Sequence, residues 1–419
     1  MNNNETSINF SEENILFVRN EQIKFDSNKG HLVFRKQIEP WLTAIFQSEH
    51  LNLLVGSGLI LALVDEANAM DRIEFSGRFE NIIKNYAEQS AKSLDRGQAN
   101  FEDDLRTAIE LLRGYKILGK TKNVNSLRRQ INNKLKELIE SVFQNEKKFI
   151  SGGNLLFLKR FLISFASRTA TKDRLHIFTT NYDRFIEYGL DKAGILTIDR
   201  FIGKIKPIFR LNRLEFDYHY NPPGIRGEPR YLEGVVRLTK LHGSLDWRFD
   251  TQSRNIYKEF IPFGHGEIKI DDPYEQVVIY PNAYKGIDTA FFPYSELFRD
   301  FSIAICRPNS VLVTYGYGFG DSHINKIISN MLTIPSTHLV IISFDKANDR
   351  IQKFIEKENI SQITLLVGNE VAKLENLVDY YLPKPAIDRI SDRMYQILEK
   401  RNIVERENKE DRKENESGI

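Results

Sequence analysis

The sequence predicts an α/β protein built on a doubly wound, Rossmann-like, mostly parallel sheet, with a helical insertion and extra β-rich loops. Three observations predict it. Short apolar runs that end in glycine or small polar residues and lead into helical patterns recur at "LNLLVGSGL", "LHIFTTNYDRFIEYGL" and "SVLVTYGYGFGDSHINKIISNML". That alternation marks parallel strands joined by helices. The stretch 79–170 contains no proline and shows helical periodicity in "FEDDLRTAIELLRGY" and "NSLRRQINNKLKELIESVF". Residues 200–295 instead gain Pro, Gly and Tyr and short extended runs such as "VVRLTKLHGSLDW" and "QVVIYPN".

In chain order, residues 1–50 form an N-terminal extension, irregular to about residue 30 and then helical through "HLVFRKQIEPWLTAIFQ". Residues 51–345 form the main α/β domain, interrupted by the helical insertion at 71–170 and the loop-rich region at 200–295. Residues 346–384 complete the α/β pattern with "QITLLVG". From 385 to 419, Ile387, Ile390, Met394, Ile397 and Leu398 suit one face of a helix, followed by the charged tail "RENKEDRKENESGI", which reads as disordered.

Composition narrows the class. The 419 residues are 41% hydrophobic, and 59 Lys plus Arg nearly balance 57 Asp plus Glu, so no global field dictates a nucleic-acid or membrane surface. The single cysteine, Cys306, excludes a disulfide framework and a cysteine-rich zinc site, and is expected as a small core residue. The polar start "MNNNETSINFSEEN" is not a signal peptide. No apolar run approaches the roughly 18 residues of a membrane span. The expectation is a soluble, cytoplasmic protein.

Four motifs carry the chemistry. Gly56-Ser57-Gly58 lies between a strand and a helix, where a turn without side chains lets a phosphate approach backbone N–H groups; taken alone, a G-x-G is better explained by a plain tight turn. In "TTNYD", Thr179 or Thr180 can cap the following helix, with Asp183 adding charge to its first turn. Asn181 is harder to explain that way, because its amide stands at a strand's C-terminal edge, where open α/β sheets bind ligands. His242 in "KLHGSLDW" precedes a glycine that keeps the approach to an imidazole base open. His31, His50, His219, His265 and His338 have no convincing polar company in the sequence. Gly316, Gly318 and Gly320 alternate with aromatics in "YGYGFGDSHIN", which suits a ribose or a flat ring, with Asp321 or Ser322 as N-cap; a ligand-free glycine turn is the alternative.

In that order the motifs resemble the sirtuin family, in its bacterial sirtuin-like branch. "VGSGL" resembles the loop at the NAD pyrophosphate, and "TTNYD" resembles the motif with the catalytic asparagine (Asn181) and nicotinamide-side aspartate (Asp183), with Thr180 at the cofactor. "LHG" places the catalytic histidine at His242. "YGYGFGD" is similar to the adenosine-ribose loop, mapped onto Gly316, Tyr317 and Gly318. "NFEDDLRTAIELL" resembles a Phe-Glu-Asp helix of bacterial members. The likeness spans about residues 45–345. It departs from the deacetylases in lacking their four zinc cysteines and their substrate-peptide signature, so no zinc is expected.

The resemblance implies an NAD+ glycohydrolase: NAD as substrate, nicotinamide and ADP-ribose as products, and NAD depletion in antiphage abortive infection. It implies a homo-oligomer assembled with a HerA-type hexameric ATPase, with nucleic acid reached through that complex and no membrane. Alternatives are a deacylase, a nuclease using a basic face at Lys204, Lys206, Arg210 and Arg213, and a non-catalytic nucleotide sensor of the same complex.

Overall fold

A computed structural model describes residues 8–68, 73–93, 99–169, 171–212, 214, 216–220, 230–265, 270–279 and 293–384. The expected C-terminal helix and tail, Arg213 and the 280–292 part of the loop-rich region lie outside the described residues.

The chain enters through strands β1 (Ile15–Val18) and β2 (Glu21–Lys24), helix α1 (His31–Phe46), strand β3 (His50–Val55) and the short helix α2 (Gly58–Leu63). Helices α3 (Arg78–Ser93), α4 (Phe101–Ile117), α5 (Thr121–Gly152) and α6 (Leu155–Ala166) follow. Strand β4 (His176–Thr179), helix α7 (Phe185–Ala193) and β5 (Leu196–Ile198) return to the sheet. Short strands β6 (Phe201–Ile202), β7 (Ile208–Phe209), β8 (His219–Tyr220) and β9 (Arg230–Tyr231) lead to β10 (Val235–Lys240), β11 (Gly243–Asp250) and β12 (Asn255–Lys258). Helix α8 (Pro273–Gln276), β13 (Val277–Ile279), α9 (Tyr294–Ile305), β14 (Ser310–Tyr315), α10 (Ser322–Leu332), β15 (His338–Ser343), α11 (Arg350–Ile355) and β16 (Ile363–Val367) complete the pattern.

Nine strands form the central sheet in the order β2-β1-β16-β15-β14-β3-β4-β10-β5. From β16 to β5 every pairing is parallel. Parallel strands covered by helices on both faces are apolar throughout, and β14, "SVLVTY", is buried at all its positions. Alternate residues feed two cores because side chains alternate across a strand. Val311, Val313 and Tyr315 enter one, while Leu312 enters the other with Leu339 and Ile341.

The N-terminal segment departs from expectation. Rather than being irregular to residue 30, it forms a β1–β2 hairpin that pairs antiparallel with β16. Arg19 and Asn20 turn it with φ of 55° and 63°, the two-residue geometry that matches strand twist. The run "ILFV" is only four residues long, yet it is fully buried. One sheet therefore runs through the 1–50, 51–345 and 346–384 segments, which share a core.

Helices α3, α4 and α5 pack around their own apolar cluster, including Phe79, Ile83, Leu105, Leu112, Ile131 and Leu135. Helix α4 starts at a capping box between Asn100 and Asp103, which satisfies two otherwise orphaned amides reciprocally. Helix α6 instead buries Leu158, Phe161, Leu162 and Phe165 in the main core. A second, five-stranded sheet in the order β13-β11-β12-β7-β6 stands beside the first. Among the described residues no single helix is long and apolar enough to cross a membrane.

Candidate active site

The four motifs follow four adjacent parallel strands, β14, β3, β4 and β10. Their last residues lie level: Tyr315 opposite Val55, Val55 opposite Thr179, and Thr179 opposite Lys240. Strands spaced about 4.8 Å apart thus bring loops from distant parts of the chain to one edge. The sheet order also reverses here, β4 lying on one side of β3 and β14 on the other, and such a switch point is where open α/β sheets bind ligands.

At the β3 and β14 loops the glycines serve each other. The Gly58 N–H donates to the Gly316 carbonyl at 3.0 Å, and the Gly56 N–H to the Tyr315 carbonyl at 3.0 Å. A Cβ on Gly56 would sit 2.4 Å from the Gly316 oxygen, and one on Gly58 2.6 Å from Gly316 Cα. Gly316 also holds a φ of +59°. These glycines are therefore required by backbone-to-backbone packing, whereas the sequence had suggested an open approach for phosphate. Ser57 is the exposed member of its loop.

Gly318 and Gly320 face the Arg350 guanidinium, whose nitrogens lie 3.2 and 3.4 Å from where their Cβ atoms would be. Tyr317 is buried, and its hydroxyl donates to Asn325 Oδ1 at 2.9 Å.

The "TTNYD" segment is buried except at Thr180, which is half-buried and donates its N–H to the Val55 carbonyl at 3.3 Å. Thr179 does not cap the helix: its hydroxyl donates to the Val55 carbonyl and accepts the Asn181 N–H at 3.0 Å. Asp183, one residue before the N-cap Arg184, accepts the Phe185 N–H at 3.1 Å through Oδ1. Its Oδ2 is buried without a hydrogen-bond partner among the described residues. Burial pushes the Asp183 carboxyl up to about 6, partly offset by the nearby Lys240 ammonium. The Asn181 amide donates to the Gly56 carbonyl at 3.0 Å, tying the β4 loop to the β3 loop.

His242 sits where the chain leaves the parallel sheet and enters the second one. Gly243 makes the bend with a φ of +79°, and a Cβ there would strike the Val278 carbonyl oxygen at 2.0 Å. The bend therefore requires a glycine at this position. His242 Nε2 lies 3.1 Å from Asp321 Oδ2. The other Asp321 oxygen caps α10, accepting the His323 and Ile324 N–H groups at 3.0 and 3.4 Å. A carboxylate held this way accepts from Nε2–H, which leaves Nδ1 as the basic nitrogen of the neutral ring.

Sequence reasoning treated Asp321 only as a helix cap and missed two further residues. Lys240, 2% exposed, donates to the Asp183 carbonyl and reaches Glu187 at 3.0 Å. Glu102, at the start of α4, accepts the Tyr182 hydroxyl at 3.0 Å. Both signals were faint: Lys240 is a charge at the end of an apolar run, and Glu102 lies in the Phe-Glu-Asp helix. Three of the other five histidines named from the sequence do have polar partners, contrary to that reading. His31 meets the Tyr381 hydroxyl at 2.7 Å, His50 meets Asp173 at 3.0 Å and His338 meets Thr364 at 2.8 Å. Cys306 is half-buried at the end of α9. Lys206 lies 4.1 Å over the Tyr257 ring and 3.8 Å from Asp250.

Among the described residues no group of three or more His, Cys, Asp or Glu could hold a metal ion. The fold and this constellation define an α/β protein whose Asn, Asp and His residues follow adjacent strand ends at the switch point of the sheet. Residues 175–363 match the family described as the SIR2-like domain, and the match supports a sirtuin-like assignment of that segment. It contains Asn181, Asp183, His242, Gly316, Tyr317 and Gly318; the Gly56–Gly58 loop lies before it. No curated protein matches the chain. Among solved structures, a Sir2 homologue mutant in complex with ADP-ribose aligns at 13% identity over 82% of this chain and 96% of that one, with a TM-score of 0.35. The likeness is distant, and no residue is assigned from it.

Proposed function

We propose that the chain hydrolyses NAD+ at the nicotinamide–ribose bond, releasing nicotinamide and ADP-ribose. The observation that carries this reading is the convergence of Asn181, Asp183 and His242 on adjacent strand ends, with His242 oriented by Asp321 at 3.1 Å. Cleavage of a glycosidic bond passes through an oxocarbenium-like transition state. Nicotinamide is cationic while attached and leaves neutral with the bonding electron pair, so it needs no strong general acid. A water oxygen bonds to the anomeric carbon, and the proton it loses passes to His242. Asn181 orients that water and the ribose. The unpartnered Oδ2 of Asp183 accepts from the nicotinamide amide.

The setting favours a developing positive charge. Asp183 and Asp321 stand at this strand edge at most 10% exposed, where preorganised charge acts with little screening by water. Arg350, beside Gly318 and Gly320, brings a cation to the far loop, suited to the anionic half of the substrate. The defence role, oligomeric state and HerA-type ATPase partner of this proposal rest on the motif resemblance alone.

The test is turnover of NAD+ against an acyl-lysine peptide by the purified chain, alone and with a HerA-type ATPase. NAD+ is expected to be consumed without peptide deacylation, and loss of His242 should slow turnover by about 10²-fold or more. Deacylation of the peptide would overturn the reading.

A further inference from the structure

From Asn181 to Arg184 the catalytic segment runs with its side chains alternating. Asn181 turns to the Gly56 loop, and Asp183 turns to the Phe185 N–H at the start of α7. The two that alternate with them, Tyr182 and Arg184, turn to the helical insertion. Tyr182, 4% exposed, joins the insertion's apolar cluster and donates its hydroxyl to Glu102 of α4 at 3.0 Å. Arg184 forks onto Glu146 of α5, with contacts at 3.1 and 2.6 Å. The insertion thus grips the residues on both sides of Asp183, through contacts that span 80 and 38 positions of the chain.

We infer that Glu102 is a positioning residue: through Tyr182 it fixes the loop that carries Asn181 and Asp183, so the insertion is a working part of the active site. The inference deepens the NAD-cleavage reading and rests on it for its kinetic consequence. The two clamps differ in kind. Glu146 is wholly buried, and breaking its pair with Arg184 threatens the fold. Glu102 is half-buried at the start of α4 and accepts the Tyr182 phenol, so its removal empties no core position. The same phenol ring lies 6.2 Å from the His242 imidazole, centroid to centroid. A loosened Tyr182 therefore disturbs His242 as well as the loop that carries Asn181 and Asp183. Displacement of reacting groups by about 1 Å slows an oriented reaction about 10²-fold.

The test compares wild type with Glu102→Ala, Glu102→Gln, Tyr182→Phe and the Glu102→Ala/Tyr182→Phe double variant. Backbone amide exchange over 180–185 is read beside NAD+ turnover. Losing one hydrogen bond should speed exchange in that segment about tenfold in Glu102→Ala and Tyr182→Phe. The double variant should be no worse, and Glu102→Gln, whose amide oxygen still accepts from the phenol, should stay near wild type. Turnover should follow the same order, falling in kcat by about 10²-fold with little change in KM. Unchanged exchange in Glu102→Ala would overturn the inference. So would slow turnover in Glu102→Gln with wild-type exchange, which would make the carboxylate's charge the active feature. A wild-type chain that releases no nicotinamide would sink the NAD reading, while the exchange pattern would still decide the positioning role.

Discussion

His242 Nε2 and Asp321 Oδ2 lie 3.1 Å apart, and the second oxygen of the same aspartate caps α10. One carboxylate thus orients the proposed base and anchors the helix after the Gly316–Gly320 loop. This divides the two roles cleanly in Asp321→Asn. The introduced amide must keep its oxygen on the cap, since the His323 and Ile324 groups there are donors, so its NH2 faces His242 Nε2. That forces the proton onto Nδ1, the nitrogen needed as base. Stability should hold, because asparagine caps as well as aspartate, while turnover falls about 10²-fold or more. Denaturant unfolding and kcat measured together check it.

Asp183 should trade stability for function. Its folded-state value of about 6 lies above the usual carboxylate value of 3.8 because burial disfavours the charge. The folded state therefore holds the proton more tightly than the unfolded chain. Stability from this group is present at low pH and lost as pH rises from about 4 to 6. Asp183→Asn should then gain on the order of 2–3 kcal/mol at neutral pH and lose turnover. A variant less stable than wild type would contradict this account. Wild-type kcat should rise with pH through about 6, as the carboxylate ionises.

The contact between the two glycine loops leaves no room for a methyl group. Gly316→Ala would place Cβ 2.6 Å from Gly58 Cα at a residue with a φ of +59°. Overpacking of this kind costs about 1–3 kcal/mol and the left-handed conformation about 1–2 more. The variant should unfold at clearly lower denaturant. Gly114→Ala, in open space on helix α4, is the control expected to be neutral or better.

Acid should weaken the fold through buried neutral histidines. The Thr364 hydroxyl accepts the Trp41 indole N–H at 3.0 Å and meets His338 Nε2 at 2.8 Å. Burial holds the His338 imidazole down at about 4, and burial likewise lowers His176 well below its usual value of 6.5. Here the unfolded chain binds the proton more tightly. Stability is full above about 6.5 and is lost as pH falls, by about 3 kcal/mol for His338 by pH 4. Denaturant unfolding between pH 7 and 4.5 should show a shallower decline for His338→Gln than for wild type.

Much of this was legible in the chain. Buried parallel strands read as apolar runs, and each of "VGSG", "TTNYD", "LHG" and "YGYGFGD" punctuates one, so the sheet and its active edge could be laid out in advance. What stayed hidden depends on distance. Nothing local distinguishes Asp321 from an ordinary N-cap, because its second oxygen meets a residue 79 positions away. Glu102 meets Tyr182 across 80 positions. The β1–β2 hairpin was missed because its strands are too short to show a period. The glycines were found, but their reason was not: they make room for each other and for Arg350.

The most direct measurement is product analysis of NAD+ incubated with the chain in isotopically labelled water, for wild type, Asn181→Ala and His242→Ala. The account predicts equimolar nicotinamide and ADP-ribose from wild type, with one labelled oxygen on the ribose and both products lost in each variant. Wild type that binds ADP-ribose yet releases no nicotinamide, alone or with the ATPase, would contradict it.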